Sequence, residues 1–263
     1  MLKLPNKIKN DLHMHSFRSR CGQDSYRDLF LHAKKIGLES IAITDHGLDL
    51  GGMVTPSTFL DYRRTPAVLE GVRIFRGIES NLRSNGTTDV PRIYEKQLDL
   101  VLLGLHGTKE NKTEFQYLPP KDRSLLLPKK ESESYYTNIL LKAIENEKID
   151  ALTHIYIKYP LCMDAVVEAA KEKGIAIELN NSSFKLNKVY KNKAKETIDA
   201  INKYSPKIVI NTDTHCYAEL GNIDAVKQFL KQYPIKANVN WVNKNLESTK
   251  AFVKERKKLR NKV

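Results

Sequence analysis

Seven short apolar runs alternate from end to end with stretches of helical periodicity, which predicts an α/β chain whose parallel strands close into a seven-stranded β/α barrel. The runs cover residues 8–12, 40–44, 72–78, 98–105, 149–153, 175–179 and Lys207–Asn211. They are continuously apolar rather than alternating, as expected of parallel strands covered on both faces. Seven such units in one chain favour a closed barrel over an open sheet.

After the first run, residues 24–36 place Tyr26, Leu29, Phe30, Ala33 and Ile36 on one helix face, with Asp24 to cap the start and Gly37 to end it. Further helices are predicted over Glu133–Asn146, 161–173, 193–203 and 218–232. Residues 107–130 form a long, polar, proline-bearing connection, which predicts a lid or a disordered loop. Residues 245–263 are rich in Lys and Arg and predict a final amphipathic helix that frays into solvent. No internal repeat or composition break divides the chain, so a single domain is expected.

The chain has 263 residues, of which 41% are hydrophobic, a globular composition. No run approaches ~18 apolar residues, so no spanning helix is expected. The first twelve residues lack the apolar stretch of a secretory signal. Three cysteines, Cys21, Cys162 and Cys216, are too few for a disulfide framework, and a reducing cytoplasm is the expected location. The net charge of +13 suits either anionic partners, including nucleic acid, or a lysine-rich solvated surface. No aromatic-interleaved basic strand or helix-turn-helix pattern supports the first, so the second is preferred.

Histidine is scarce at seven, and six of the seven end a hydrophobic run. DLHMHS closes the first with His13 and His15, two apart and on one face. ITDH ends the second with Asp45 and His46, and RGIES the third with Glu79. LLGLH ends in His106, ALTH in His154, and NTDTH carries Asp213 and His215. In a β/α barrel those carboxyl ends converge on one rim, where active sites are found. Each motif alone is weak, since Asp and His also cap helices and close turns. Jointly they predict a cluster of imidazoles and carboxylates around divalent cations, with zinc, manganese and iron all compatible.

These motifs, with IELNNSSF and in this order from Asp11 to His215, resemble the PHP (polymerase and histidinol phosphatase) domain superfamily, and especially its free-standing probable phosphatases. The resemblance implies a distorted seven-stranded β/α barrel and a trinuclear metallohydrolase acting on phosphate esters. It assigns one ion to His13, His15, Glu79 and Asp213. It assigns a second to His46, His215 and the residue six after His15, and a third to Glu79, His106 and His154. The chain departs from this pattern at Cys21, where close relatives have His, and at Ile155, where they usually have Pro. Cys21 is either a thiolate ligand that tilts its site toward zinc or a small filler beside a weak or absent second ion.

Phosphomonoester hydrolysis by a metal-bound hydroxide is the expected reaction, on a small phosphorylated substrate. Asp213 and His215, or Asp45 beside His46, are candidates to orient the water or protonate the leaving group. Arg18 and Arg20, in SFRSRC, are either phosphate contacts or part of a solvated loop. Arg63, Arg64 and Arg92 are weaker candidates. Asn180, Asn181 and Ser182 are expected to support the rim. His32 is expected to face solvent, Cys216 to point away from the ions and Cys162 to sit in the core.

Rival readings are a phosphodiesterase or nuclease using the same ions, an amidohydrolase, and a non-catalytic metal-binding module. The amidohydrolase reading lacks a metal-bridging lysine in LVLLGLH. No P-loop or dinucleotide fingerprint is present.

Overall fold

The computed structural model describes residues 2–50, 52–106, 124–186 and 191–261. Among them, nine strands form one sheet: β1 (Asn10–Asp11), β2 (Ser40–Ile43), β3 (Val68–Leu69), β4 (Val72–Asn81), β5 (Leu100–Gly104), β6 (Ala151–Leu152), β7 (Ala176–Asn180), β8 (Lys207–Asn211) and β9 (Asn240–Trp241). The order is β1-β2-β4-β5-β6-β7-β8-β9, with every neighbouring pair parallel. All seven expected strands are present. The eighth parallel strand, β9, is a two-residue pairing too short to leave a periodic signal.

β3 joins antiparallel to β4 through Glu70 and Gly71, both at positive φ (45° and 88°), as a two-residue hairpin turn requires. At the carboxyl edge the segment after β1 meets the segment after β8. There Met14 and Thr214 form a parallel bridge, and the His15 N–H donates to the Thr214 carbonyl.

The described helices are α1 (Tyr26–Lys35), α2 (Pro56–Asp61), α3 (Arg92–Glu95), α4 (Glu133–Asn146), α5 (Met163–Glu172), α6 (Asn181–Lys185), α7 (Lys191–Tyr204), α8 (Asp224–Gln232) and α9 (Leu246–Arg260). α1 is capped by Ser25 rather than Asp24, through a reciprocal Ser25–Asp28 capping box. The predicted helix over 218–232 is broken. A 3₁₀ turn at Tyr217–Glu219 precedes Gly221 at φ 72°, and α8 begins only at Asp224. Residues 107–123 of the expected lid lie outside the described residues, while Leu126 and Leu127 after them are buried.

The barrel interior is filled by Leu12, Ala42, Phe75, Leu100, Leu102, Ala151, Ala176 and Val209, and it is plugged by Phe252 and Val253 of α9. α9 therefore covers the amino-terminal end of the barrel and does not fray as the charge run suggested. Arg256 and Arg260 are buried, and both pair with Asp150 at the entrance to β6. Arg76 and Lys257 hold Asp99 in the same way below β5. Among the described residues, no helix is long and apolar enough to cross a membrane.

Candidate metal centre

The carboxyl ends of the strands gather the predicted donors around one buried residue, Glu79, near the end of β4. Its Oε2 lies 3.4 Å from His13 Nε2, 3.3 Å from His15 Nε2 and 3.0 Å from His46 Nδ1. Its Oε1 lies 3.2 Å from His106 Nε2 and 2.9 Å from His154 Nε2, and it accepts the Thr153 hydroxyl at 2.8 Å. Asp213 Oδ1 stands 3.4 Å from His13 Nε2 and 3.2 Å from His15 Nε2. Two of these residues sit in left-handed backbone, His154 at φ 30° and Asp213 at φ 53°. Strain of this kind persists where the surrounding structure enforces it, typically at functional sites.

Neighbouring groups fix the imidazole tautomers. Ser19 Oγ donates to Asp45 Oδ1 at 2.7 Å and accepts the His46 N–H at 3.0 Å, so its 3.0 Å contact with His15 makes His15 Nδ1 the donor. His13 Nδ1 donates to Glu178 Oε1 at 2.7 Å, and His215 Nδ1 donates to the Asp213 carbonyl at 2.9 Å. In its neutral form each of these rings therefore presents a bare Nε2.

The cluster is electrostatically polarised. Burial alone would lower both histidines, yet the carboxylates around them hold His13 well above its usual value and raise His15 to about 9. Burial also works against ionisation of Glu79 and Asp213, and the imidazoles nevertheless hold both well below the carboxylate range. Burial and neighbouring charge depress His46, His106 and His215, the last to about 4.

The donor set fits divalent cations. Glu79 Oε2, Asp213 Oδ1 and His46 Nδ1 are buried without a hydrogen-bond partner. Two pairs of imidazole nitrogens face each other at close range, His13 with His15 at 3.2 Å and His106 with His154 at 3.3 Å. Among the described residues, four groups have donor atoms mutually within 4.8 Å: His13–His15–Asp213, His13–Glu79–His154, His46–Glu79–His106 and His15–Cys21–His46. His13–His15–Asp213 and the pairing of His46 with Cys21 follow the expected partition, and Glu79 at the centre also groups His46 with His106. His215 stands at the rim, outside those groups, its ring 4.7 Å from that of His15. Cys21 is exposed at the mouth. Its thiol is pushed up to about 12 by partial burial and by the charges of Glu79 and Asp213.

Other candidates separate clearly. Asp45 is buried with both oxygens turned to Ser16, Ser19 and Tyr26, so it braces the strand end instead of facing the cavity. Arg18 packs over Tyr26 and toward Asp61. Arg20 lines a pocket of about 290 Å³ with Cys21, His46, His106 and Lys158. Arg63 bonds the Leu60 carbonyl, Arg64 lines a different pocket beneath α1, and Arg92 reaches Asn146 and Glu147. Asn180 donates to Glu178 and Asp213, Asn181 accepts the N–H groups of Ala225 and Val226 at the start of α8, and Ser182 lines the main cavity. His32 stacks near Tyr217. Cys162 is the half-buried residue before α5, and Cys216, expected to turn away, lines the main cavity.

Two residues escaped the sequence reading. Glu178, fully buried on β7, accepts from His13, Asn211, Asn180 and the His154 N–H. The signal was available, because an acid inside a strand covered on both faces needs partners. Lys158 lines both pockets and bonds the His106 carbonyl at 3.4 Å. It follows the ligand loop with no distinguishing pattern.

The PHP domain model matches residues 11–259. The chain belongs to the PHP domain family. It is 31% identical over 253 residues to a "probable phosphatase" of Acetivibrio thermocellus, covering 95% of this chain and 97% of that protein. A "probable phosphatase" of Caldicellulosiruptor bescii is 30% identical over 249 residues, covering 94% and 96%. Among solved structures, histidinol phosphate phosphatase from Lactococcus lactis, complexed with zinc, L-histidinol and phosphate, superposes with TM-score 0.54 at 18% identity. That match covers 87% of this chain and 95% of that one, a likeness of fold.

Proposed function

We propose that this PHP-family chain is a metal-dependent phosphatase that hydrolyses small phosphate monoesters. The observation that carries the reading is a single chamber of about 450 Å³ whose floor is the Glu79-centred cluster. That size suits a small molecule better than a polymer. Several basic side chains are also committed to internal ion pairs, Arg76 and Lys257 to Asp99, Arg83 to Asp49, and Arg256 and Arg260 to Asp150. These five cations meet only three acids, so the pairing removes just two units from the net charge of +13, and the preference for a small substrate rests on the size of the chamber. The relatives named as phosphatases support the same class of reaction.

His13, His15, His46, Glu79, His106, His154 and Asp213 would hold the ions, with His215 and Cys21 at the mouth. Bound divalent ions supply positive charge for the phosphate and lower the pKa of a water nucleophile. Glu79 would anchor the ions at the centre, because its two oxygens face five imidazoles between them. Asp213 Oδ2 is fixed by Asn180, which leaves Oδ1 to orient the attacking water. Lys158 and Arg20 sit where they add positive charge beside the phosphate.

The test is phosphate release from an aryl phosphate and a panel of small organic phosphates with added Zn²⁺ or Mn²⁺. Activity should vanish on chelation and in His13→Ala and Glu79→Ala. Activity that survives chelation, or turnover of oligonucleotides with none of monoesters, overturns the proposal.

A further inference from the structure

The donors in this cluster are nitrogen and oxygen everywhere except at one corner. His15, Cys21 and His46 bring their donor atoms mutually within 4.8 Å, so a sulfur stands among two imidazoles at the mouth of the chamber. The position of that sulfur is enforced by the backbone. Gly22 lies so close to the preceding strand that a Cβ there would sit 2.3 Å from the Ser16 carbonyl oxygen and 2.6 Å from that of His15. The turn that carries Cys21 is therefore pressed against the segment after β1 that carries His15.

Arg20, immediately before, sits in left-handed backbone at φ 68°. On either flank the Phe17 N–H donates to Asp24 at 2.8 Å, and the Gln23 N–H donates to the His215 carbonyl at 2.9 Å. Strain on one side of Cys21 and a glycine-only contact on the other are the marks of a chain held in place for its side chain. The two partners are oriented as well. Ser19 fixes the tautomer of His15 and holds the backbone of His46.

We propose that Cys21 binds as a thiolate, so that one ion of the cluster has an N₂S corner and takes zinc in preference to manganese or magnesium. The proposal rests on the metal-dependent reading of the site. Soft sulfur favours Zn²⁺, whereas the all-nitrogen-and-oxygen groups around Glu79 accept harder ions equally well. Binding exchanges one proton for the ion: the Cys21 S–H bond breaks, the S–metal bond forms and the proton leaves to solvent.

The experiment loads metal-free full-length protein with Co²⁺ and records its absorption, alongside metal analysis per chain. The native protein should show an intense near-ultraviolet thiolate-to-Co²⁺ charge-transfer band. Cys21→Ser should lose that band and about one ion per chain while keeping the weaker visible bands of the remaining Co²⁺. Cys21→His should lose the band, keep the full ion count and bind Mn²⁺ more tightly than the native protein does. Co²⁺ bound at full count without a charge-transfer band, or a band that survives in Cys21→Ser, overturns the thiolate assignment and leaves the phosphatase reading standing. Failure to bind any ion overturns the phosphatase reading itself.

Discussion

Replacing Glu178 by Gln keeps the volume of a buried side chain that the proposed ligand set does not include, yet it should weaken metal binding. Its four donors divide evenly. Oε1 accepts His13 Nδ1 at 2.7 Å and Asn211 Nδ2 at 2.9 Å, while Oε2 accepts Asn180 Nδ2 at 2.9 Å and the His154 N–H at 3.2 Å. A glutamine must present its NH₂ to one of these pairs. Toward His154 it meets a backbone N–H that cannot change its role. Toward His13 it forces the ring to move its proton to Nε2, the atom that faces Glu79 Oε2 and Asp213 Oδ1. Either choice replaces a hydrogen bond to a charged acceptor, worth ~1.5–3 kcal/mol, with a donor–donor contact. Partners of this outer kind typically govern ~10–100-fold in metal affinity or activity. Competition against a chromophoric chelator should therefore show Zn²⁺ binding weakened by about that factor in Glu178→Gln, with phosphate release reduced in parallel. Affinity within about twofold of the native protein, under conditions where Glu79→Gln abolishes binding, would refute the argument.

Three further outcomes follow from other parts of the molecule. A Cβ added at Gly104 would lie 2.0 Å from His106 Cε1 and 2.8 Å from Glu79 Oε1, so Gly104→Ala should displace both ligands. Displacement on the order of 1 Å costs ~100-fold in rate, so activity and metal content should fall together while far-ultraviolet circular dichroism stays native. Arg260→Ala strips one of two guanidiniums from buried Asp150, leaving Arg256 in place, and should cost ~1.5–3 kcal/mol in denaturant unfolding, with turnover per folded molecule unchanged because α9 lies at the opposite end of the barrel. A loss below ~1 kcal/mol would contradict that assignment. Burial would raise the Asp99 carboxyl, but hydrogen bonds from Arg76 and Lys257 hold it down at about 2. A depressed carboxylate stabilises the fold above its unfolded value near 4, and that contribution, ~2 kcal/mol, is lost as the pH falls toward 2. Asp99→Asn should remove it already at neutral pH and flatten the acid limb of stability against pH.

The histidines were legible because two simple rules act together: strands alternate sides, and barrel strands end on one rim. The same alternation could have placed Asp45. Adjacent residues of an extended chain point to opposite faces, so Asp45 and His46 cannot both enter the chamber, and Asp45 turns instead to Ser16, Ser19 and Tyr26. Glu178 stands out as a lone acid in an apolar strand, but nothing local says which groups meet it. Its partners lie up to 165 residues away. α9 misled for a related reason. Phe252, Arg256 and Arg260 share one face at a spacing of four, but the acid that both arginines meet, Asp150, lies far away in sequence, just before β6. A basic stripe reads as solvated until its partners are known.

Both ends of the barrel therefore bury carboxylates, and the contrast between them separates a structural device from a cation site. At the amino-terminal end, Asp150 is met by Arg256, Arg260 and the Val101 N–H, and Asp99 by Arg76 and Lys257. Those acids are neutralised by fixed positive charges that no ligand need supply. At the carboxyl end, no arginine or lysine pairs with Glu79 or Asp213 among the described residues. Imidazoles face them instead, and Glu79 Oε2 and Asp213 Oδ1 are left without a donor. An imidazole can lose its proton and offer a lone pair to the ion that neutralises the acid, which a guanidinium cannot do. Substituting arginine for histidine on this rim would thus satisfy the carboxylates as well as a cation does and leave no reason to bind one.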